Sequence, residues 1–313
     1  MMYTRRQQMS EIDLSIIILN YNAKEYLKSC VQSIKDSNFE KITKEIILVD
    51  NNSPDSPKEI FEHLKKTSKN LNYVYNEENL GFSAGNNRGV EKSSGKYVLF
   101  LNPDTKVSEV AIKTCFKFME ENKDVGVCGP ALVYPNGELT TASHRGFPTP
   151  WNAITHFTGL RRLSPKSKLL AGYTMGWLLD NKNPHEVDAL SGAAFFVRRE
   201  AGEEVGWWDE DYFLYGEDID FCFKLNEKGW KVFFLPSAKI LHYHGVSSGI
   251  KKQSQNLTSA DIQTKKRAIK ASTDAMRIFY KKHYPNVYPS WLTNFVLMGI
   301  SILERFRLVR VST

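Results

Sequence analysis

Residues 97–105 read YVLFLNPDT, an apolar run followed at once by Asn102, Pro103, Asp104 and Thr105. A short apolar run bounded by turn-forming residues is typical of a buried strand that ends in a loop. The Asp104 carboxylate would then stand just beyond the strand, where an oxygen ligand can hold Mg²⁺ or Mn²⁺ against a bound diphosphate. The alternative is that Asp104 only forms the turn.

Similar apolar runs recur along the chain and alternate with segments of helical pattern. The predicted strands of the first half are residues 15–19, 45–50, 73–75, 97–102 and 125–134. The predicted helices there are residues 24–37, 57–69, 84–93 and 108–122. This alternation predicts an α/β fold with a Rossmann-like, mostly parallel central sheet and helices on both faces. Residues 137–186 carry no motif, and two further strands are predicted at 231–236 and 238–244.

Polar residues follow three of the predicted strands at the point where each one ends. These groups are Asn20-Tyr21-Asn22, Asp50-Asn51-Asn52-Ser53 and Asn102-Pro103-Asp104-Thr105. In open α/β sheets, ligands bind beyond the carboxyl ends of the strands, so the three groups predict a binding edge. Asn and Asp are also common turn formers, which is the alternative for any one group.

A glycine-rich stretch, NLGFSAGNNRGV (79–90), lies between a predicted strand and a predicted helix. Such turns let backbone amides approach a phosphate, and Arg88 is a candidate charge partner. The spacing of Gly81, Gly85 and Gly89 matches neither G-x-G-x-x-G nor a Walker loop. The sequence therefore disfavours a dinucleotide-dependent enzyme and a P-loop NTPase.

A third feature is the acid cluster GEDID (216–220), which places three carboxylates in four positions. Acidic side chains are favoured at a helix N-terminus, so a purely structural explanation exists. The alternative is a catalytic base whose pKa is raised by its acidic neighbours. Further along, His242 and His244 would share one face of a strand, and either could reach a metal.

Composition and charge divide the chain in two. Residues 250–313 hold twelve Lys and Arg against three Asp and Glu, a net +9, whereas residues 1–249 hold 30 against 32, a net −2. The four cysteines are widely spaced and the N-terminal residues contain no apolar run of signal-peptide length, which predicts a cytoplasmic location. No feature indicates a nucleic-acid partner.

The basic extension contains a mostly apolar stretch of thirteen residues, 291–303, followed by three arginines. It is shorter than the roughly 20 residues that a spanning helix needs. We therefore expect the segment 288–311 to form an amphipathic helix that lies on an anionic membrane surface. The alternatives are a terminal helix docked on the core, or one that contacts the partner in a homodimer.

Seven motifs in order resemble the family 2 glycosyltransferases, which have the GT-A fold. They are SIIILNYN, EIILVDNNSPD, NEENLGFSAGNNRG, YVLFLNPDT, SGAAFFVRREA, VGWWDEDYFLYGEDIDFCFKLNEKGW and ILHYHGVSSG. Within that family the chain most resembles bacterial rhamnosyltransferases that act on lipid-linked sugars. The resemblance covers residues 13–249. It implies a glycosyltransferase domain at 1–249, with a nucleotide-sugar half at 13–135, an acceptor-side half at 136–249 and a helical extension at 250–313.

The resemblance also implies roles for individual residues. The nucleotide sugar would contact Asn20, Tyr21, Asp50, Asn51, Asn86, Arg88, Asn102 and Asp104. Asn102-Pro103-Asp104 takes the place of the family's Asp-x-Asp metal motif, and the metal ligands would be Asp104 and His242. Asp218 would be the general base, and the acceptor would contact Ser191, Gly192, Trp208 and Glu217.

The function implied by the resemblance is an inverting transfer that depends on Mg²⁺ or Mn²⁺. The favoured donor is dTDP-L-rhamnose, and the acceptor is a glycan or a polyprenyl-diphosphate-linked sugar at the inner face of the membrane. One alternative is a UDP-sugar donor such as UDP-galactofuranose, because Asp50 would recognise features that uracil and thymine share. Another alternative is a non-catalytic sugar-nucleotide-binding scaffold, against which the presence of Asp104, Asp218 and His242 counts.

Overall fold

The computed structural model describes residues 12–68, 70–140, 142–243 and 262–312. The strands are β1 (Leu14–Asn20), β2 (Lys44–Asp50), β3 (Leu71–Tyr75), β4 (Tyr97–Leu101), β5 (Thr105–Val107), β6 (Val125–Val133), β7 (His144–Arg145), β8 (His185–Glu186), β9 (Ala189–Leu190), β10 (Ala194–Arg198) and β11 (Lys231–His242). The helices are α1 (Lys24–Asp36), α2 (Lys58–Lys66), α3 (Gly81–Val90), α4 (Ala111–Glu121), α5 (Pro150–Phe157), α6 (Arg199–Val205), α7 (Glu217–Glu227), α8 (Ile262–His283) and α9 (Ser290–Ser312).

The central sheet is mixed, which corrects the prediction of a mostly parallel one. Its order is β3-β2-β1-β4-β10-β6-β11-β5, with β8 also paired to β11. The strands β3, β2, β1 and β4 are parallel, as is the pair β6 and β11. The strands β10, β5 and β8 are antiparallel to their neighbours. A connection between two parallel strands needs a crossover, usually a helix. The chain enters β10 from the short loop after β9 instead, and β10 runs antiparallel to β4.

Apolar side chains cover both faces of this sheet, as the alternating sequence pattern predicts. Alternate residues of β1 point to opposite faces, so Ile16 and Ile18 join one core and Ile17 joins the other. The helices α1, α2 and α4 bury their apolar residues in the first core. The second core receives side chains from α6, α7, α8 and α9.

The predicted elements of the first half are present with small shifts, and two differences concern the site. The strand β11 is one continuous strand of twelve residues where two were predicted. The short strand β5 was missed; it follows Asp104 and pairs with the end of β11, so that His242 stands opposite Thr105. His244, the other predicted strand histidine, lies outside the described residues.

The C-terminal helices α8 and α9 pack against the domain. Phe279, Tyr280 and Tyr284 are buried in the second core, and α9 packs against α8 and α5. One face of α9, which carries the buried Val296 and Ile300, is therefore docked on the core. This agrees with the alternative prediction for the helix. Among the described residues, no helix combines the length and the apolar character needed to cross a bilayer.

Candidate active site

The ends of β1 and β2 bring Asn20 and Asp50 together. These residues are partners in the parallel register, so their side chains leave the sheet side by side. The Asn20 amide nitrogen donates to Asp50 Oδ1 at 3.0 Å and to Ser53 Oγ at 2.9 Å. Both donors of this amide are used, whereas its oxygen is buried and has no hydrogen-bond partner among the described residues. A buried acceptor in this state suits a ligand that brings an N–H group. Tyr21, the next residue, is 37% exposed beyond the strand.

Asn51 organises the protein around this edge and has no capacity left for a ligand. Its amide nitrogen donates to Asn79 Oδ1 and to the Gly81 carbonyl, at 2.8 and 2.9 Å. Its Oδ1 accepts from the Asn76 amide and from the Leu80 N–H. These four bonds exhaust the usual inventory of an amide side chain. In this structure Asn51 fixes the start of α3, and its direct contact with the nucleotide stays a prediction.

The glycines of α3 serve mainly to bring the helix close to the sheet. A Cβ on Gly85 would lie 2.7 Å from Leu19, and one on Gly89 would lie 2.5 Å from Ile17. Gly81, with φ +83°, makes the turn that starts the helix. Asn86 is 2% exposed, and its amide donates to the Phe82 carbonyl one turn earlier.

Arg88 is not part of the candidate site. It lies in the last turn of α3, whereas the first turn is the one at the binding edge. Its guanidinium pairs with Glu91 at 3.3 Å, and both side chains are more than half exposed. The structure thus does not bring Arg88 to the other predicted donor contacts, and its contact with the donor stays a prediction. A count of glycines and basic residues could not reveal which end of the helix would face the ligand.

Asp104 and His242 form a buried pair at the same edge of the sheet. The antiparallel pairing of β5 with β11 brings them together, and His242 Nε2 lies 3.2 Å from Asp104 Oδ1. Their side chains are 8% and 4% exposed. The preceding Asn102 is half-buried, and its backbone N–H donates to the Ala193 carbonyl at 2.9 Å.

The pair offers one oxygen and one nitrogen ligand, a set that suits Mn²⁺ or Mg²⁺ when phosphate oxygens and water supply the other positions. Within the described parts of the chain, no group of three or more His, Cys, Asp and Glu side chains is arranged to hold a metal. Asp104 and His242 are thus the two side chains at this edge that could share a metal with a phosphate-bearing ligand.

The acid cluster begins α7, and Asp218 faces the strand-end edge. Gly216, with φ +83°, precedes the first helical residue, Glu217. Asp218 Oδ2 accepts from the Gly192 N–H at 3.1 Å and forms an ion pair with Arg145. Its Oδ1 accepts from the Ile219 N–H at 2.9 Å. An ionised carboxylate has about four lone-pair sites, so Asp218 keeps capacity for one more donor.

Residues 191–193 join the two parts of the site. Gly192 bonds to Asp218 and Ala193 bonds to Asn102, while Ser191, which is half-buried, donates its N–H to the Ser143 carbonyl. A Cβ on Gly192 would lie 3.3 Å from the Phe82 ring and 3.6 Å from the Asp218 Cβ. The Asp104 and His242 pair and the Asp218 carboxylate therefore lie along one continuous edge of the sheet.

Glu217 is the acid of the cluster whose pKa is raised. It is buried, and its Oε2 has no hydrogen-bond partner in the described part of the chain. Burial, followed by the negative charge of Asp218, raises the pKa of Glu217 to about 8. The neighbouring Asp218 is itself paired with the Arg145 guanidinium.

Asp220 points to the opposite side of α7, toward the C-terminal extension. Its Oδ1 is 2.7 Å from His283 Nε2 and 3.2 Å from the Tyr212 hydroxyl, and its Oδ2 is 3.2 Å from Lys224 Nζ. Burial raises its pKa, but the bond with His283 and the charge of Lys224 outweigh this and lower it overall. Asp220 therefore anchors α8 to the domain.

Trp208 belongs to the core and not to the acceptor surface. It is 1% exposed, and its ring packs within about 5.5 Å of the Phe82, Phe100, Phe195 and Phe221 rings. The structure therefore places Trp208 in the aromatic core, and its contact with an acceptor stays a prediction. An aromatic run in the sequence does not distinguish a sugar-stacking wall from an aromatic core.

Arg145 and His283 are the site-related residues that sequence reasoning missed. Arg145 lies in β7, inside the stretch where no motif was found, and His283 lies 63 residues after its partner Asp220. The contact of each residue with α7 can be seen only in the folded structure, because its partner is distant in sequence.

Comparisons with known proteins give the same assignment for the fold and the family. A profile of the family described as "Glycosyl transferase family 2" matches residues 15–179. The solved structure of GalNAc-T7 with UDP, GalNAc and Mn²⁺ aligns with a TM-score of 0.58 at 16% identity, over 86% of this chain and 47% of that one. The chain thus has the α/β GT-A glycosyltransferase fold.

Two curated relatives are similar in sequence over most of this chain. The low-salt glycan biosynthesis hexosyltransferase Agl10 of Haloferax volcanii is 26% identical over 71% of this chain, an alignment that spans only 64% of the relative. The N-acetylglucosaminyl-diphospho-decaprenol L-rhamnosyltransferase of Mycobacterium tuberculosis is 25% identical over 75% of this chain and 78% of the relative.

Proposed function

The chain belongs to glycosyl transferase family 2, and on that premise we propose that it transfers a sugar from a nucleotide diphosphate donor to a lipid-linked glycan acceptor. One observation carries the proposal. The Asp104 and His242 pair, suited to a diphosphate-bound metal, and the carboxylate of Asp218 lie on one edge and are joined by residues 191–193.

The donor side of the proposal rests on Asn20, Tyr21 and Asp50. Uracil and thymine share an N–H group between two carbonyls, and the buried oxygen of Asn20 is an acceptor without a partner among the described residues. The Asp50 carboxylate lies 3.0 Å from the Asn20 amide and adds a second acceptor. We propose dTDP-L-rhamnose as the donor, in keeping with the name of the mycobacterial relative, an L-rhamnosyltransferase. A UDP-sugar such as UDP-galactofuranose is the second candidate. Uracil and thymine present the same N–H and carbonyl groups, so Asn20 and Asp50 would not distinguish the two nucleotides.

Asp104 and His242 would hold a divalent metal, Mg²⁺ or Mn²⁺. When bound, that ion neutralises charge on the leaving diphosphate. Asn102 stands where the family has an acid, so the protein supplies less negative charge here than an Asp-x-Asp motif would. Asn86 would support the diphosphate-facing turn of α3 through its bond to Phe82.

The proposed reaction is an inverting displacement with Asp218 as the general base. The acceptor hydroxyl oxygen forms a bond to the anomeric carbon while the bond from that carbon to the diphosphate oxygen breaks. The hydroxyl proton passes to the Asp218 carboxylate, which Gly192 and Arg145 hold in place. Ser191, Gly192 and Glu217 flank this carboxylate and are the proposed acceptor contacts. Their burial excludes water that would otherwise hydrolyse the donor.

The proposed place of action is the cytoplasmic face of the cell membrane. A nucleotide sugar and a polyprenyl-diphosphate sugar would meet there, and the product would enter envelope polysaccharide synthesis. A non-catalytic nucleotide-binding scaffold is the alternative from another class. Asp218 lies near the strand-end edge, where it could accept a proton from an acceptor. A protein that only binds a nucleotide sugar does not need such a base, so this position favours an enzyme.

A transfer assay tests the proposal. The purified chain with Mn²⁺ is incubated with dTDP-L-rhamnose, UDP-galactofuranose or GDP-mannose and a short-chain prenyl-diphosphate N-acetylglucosamine. We expect transfer from dTDP-L-rhamnose, with an inverted anomeric configuration by NMR. Transfer from GDP-mannose alone would overturn the donor assignment. Retention of configuration would overturn the mechanism, and nucleotide binding without transfer to any acceptor tried would favour the scaffold.

A further inference from the structure

The helix α9 carries an exposed apolar stripe along the face that points away from the domain. The stripe consists of Trp291, Phe295, Met298, Ile302 and Phe306, each between 54% and 70% exposed. Their spacings of four, three, four and four residues keep them on one side of a helix. Such a row of large side chains is unusual on a surface that only water contacts.

The opposite face of α9 is apolar too. Val296 and Ile300 are 7% and 3% exposed in the second core, and Arg277 of α8 pairs with Glu304 of α9. A helix that is apolar on all sides normally lies fully buried. In α9 the domain covers the side of Val296 and Ile300 and leaves the stripe exposed. The stripe is therefore left for something else to cover. The amphipathic segment expected at 288–311 stays a prediction.

A second group of exposed apolar side chains lies in residues 151–169, and we call it the 151–169 patch. It comprises Trp151, Phe157, Leu160, Leu163 and Leu169, with Leu163 78% and Leu169 65% exposed. The Trp151 indole N–H donates to the Leu169 carbonyl at 2.8 Å and so links the two ends of the patch. This is part of the stretch in which the sequence showed no motif.

The stripe and the patch are neighbours. The helix α5, which carries Trp151 and Phe157, packs against α9. His156 lies between them: burial, with the charges of Arg161 and Arg307, lowers its pKa to about 4. One arginine of that pair follows α5 and the other belongs to α9, so the two elements meet at His156.

The charges around this surface are almost all positive. Residues 146–170 contain Arg161, Arg162, Lys166 and Lys168 and no acidic residue, and of the four only Lys166 forms a described ion pair, with Asp180. In α9 the single acid, Glu304, is already paired with Arg277, whereas Arg305 and Arg307 lie in the same segment as the end of the stripe. Basic side chains that flank large apolar ones suit anionic headgroups above acyl chains. A second copy of the same face would instead oppose positive charge to positive charge.

We propose that the α9 stripe and the 151–169 patch together form one docking surface for an anionic phospholipid bilayer. The proposal rests on the proposed function in one respect, namely that a lipid-linked acceptor places the substrate at that bilayer. The segment that carries the patch follows Arg145, which pairs with Asp218, directly in the chain, and the Gly146 N–H donates to the Tyr173 carbonyl. Docking would thus hold the acceptor side of the site toward the headgroups.

Vesicle flotation tests the proposal without any sugar substrate. The full chain, Ile302→Glu/Phe306→Glu and Leu163→Glu/Leu169→Glu are mixed with phosphatidylcholine vesicles with or without 30 mol% (roughly) phosphatidylglycerol. The matched control is Val110→Glu, which replaces a 50% exposed apolar residue beside α4, a helix of the opposite core. We expect at least about tenfold more of the full chain and of the control on anionic vesicles. Each double variant should lose about tenfold of that binding, at an unchanged melting temperature.

The possible outcomes separate the alternatives. The proposal is overturned if the full chain stays unbound, or if binding survives in Leu163→Glu/Leu169→Glu, which would leave α9 acting alone. It is also overturned if sedimentation shows a dimer that Ile302→Glu/Phe306→Glu dissociates, since a second copy would then cover the face. Transfer to a water-soluble acceptor should be unchanged in both double variants. If the full chain binds anionic vesicles but neither it nor any variant transfers a sugar, the proposed function is rejected and the proposed docking surface is retained.

Discussion

The nucleotide-side edge and the start of α7 reach the same candidate site by different routes. At the nucleotide-side edge, Asn20 and Asp50 are register partners at the ends of neighbouring strands, so the sheet alone aligns them. At the start of α7, Asp218 is held by Arg145 and Gly192, which lie 73 and 26 residues away in sequence. Regular strand pairing thus builds the binding edge, whereas long-range contacts between irregular segments build the acceptor side.

The comparison also divides the acids of α7. Asp218 faces the binding edge, and Asp220, two residues on, faces α8. One turn of a helix therefore carries the proposed base on one side and the attachment of the C-terminal extension on the other. We expect substitutions on the two sides to separate activity from stability.

The largest effect is expected for Asp218→Asn. The amide keeps the shape of the side chain but cannot take the acceptor proton, so the transfer rate should fall on the order of 10³-fold. Single-turnover transfer is the measurement, with the exposed Asp36→Asn as the matched control. Residual turnover within tenfold of the unaltered protein would remove Asp218 as the base and place the chemistry elsewhere on the edge.

His283→Ala should act on stability and hardly on chemistry. It removes the 2.7 Å bond to the buried Asp220 carboxylate, and losing such a charged hydrogen bond costs about 1.5–3 kcal/mol. Chemical denaturation should show this loss, while the single-turnover rate stays within about threefold. His63→Ala, on the exposed side of α2, is the control. A rate that falls as far as in Asp218→Asn would show that the two sides of α7 are not separate.

Acid should weaken this attachment. The pKa of Asp220 is lowered in the folded protein, so the stability it contributes is present above the ordinary pKa of an Asp and is lost as the pH falls through the lowered value. The difference in unfolding free energy between the unaltered protein and His283→Ala should therefore shrink toward low pH. An unchanged difference at pH 3 would contradict the assigned contact.

Glu217→Gln should have a smaller effect, with the opposite pH dependence. The pKa of Glu217 is raised to about 8, so its neutral form is favoured in the folded state. The stability associated with that form is full below the ordinary pKa of a Glu and is lost as the pH rises through about 8. Gln cannot ionise, so the variant should gain at least about 1–2 kcal/mol over the unaltered protein at pH 9 and little at pH 4, below the ordinary pKa of a Glu. Thermal unfolding at the two pH values measures this, and an equal effect at both would contradict the raised pKa.

The smallest effect is expected for Arg88→Ala. An exposed ion pair contributes about 0–1 kcal/mol, and the side chain lies at the end of α3 away from the binding edge. Nucleotide affinity by calorimetry should remain within twofold. A tenfold loss would return Arg88 to the donor site and extend the nucleotide-side edge along the helix.

The sequence was sufficient for the features that local pattern controls. Apolar runs located β1, β2, β4 and β6, and the polar residues after them located the edge where Asn20, Asp50 and Asp104 lie. It was insufficient wherever partners are distant. Three features depend on chain segments that carry no periodic signal. They are the antiparallel direction of β10, the pairing of β5 with β11, and the contacts of Arg145 and His283. Trp208 and Arg88 have the right chemistry for a site, yet their burial and their position on a helix depend on the packed fold.

Calorimetric titration of dTDP tests most directly the central claim, that one edge binds the nucleotide and a separate carboxylate performs the transfer. The unaltered protein, Asp104→Asn and Asp218→Asn are each titrated in Mn²⁺ and in EDTA. We predict that Asp218→Asn binds within twofold of the unaltered protein in both conditions. Asp104→Asn should match it in EDTA and bind at least about tenfold more weakly in Mn²⁺, because one of two protein ligands is lost. Equal weakening by both substitutions, or none by Asp104→Asn in Mn²⁺, would contradict this division of roles.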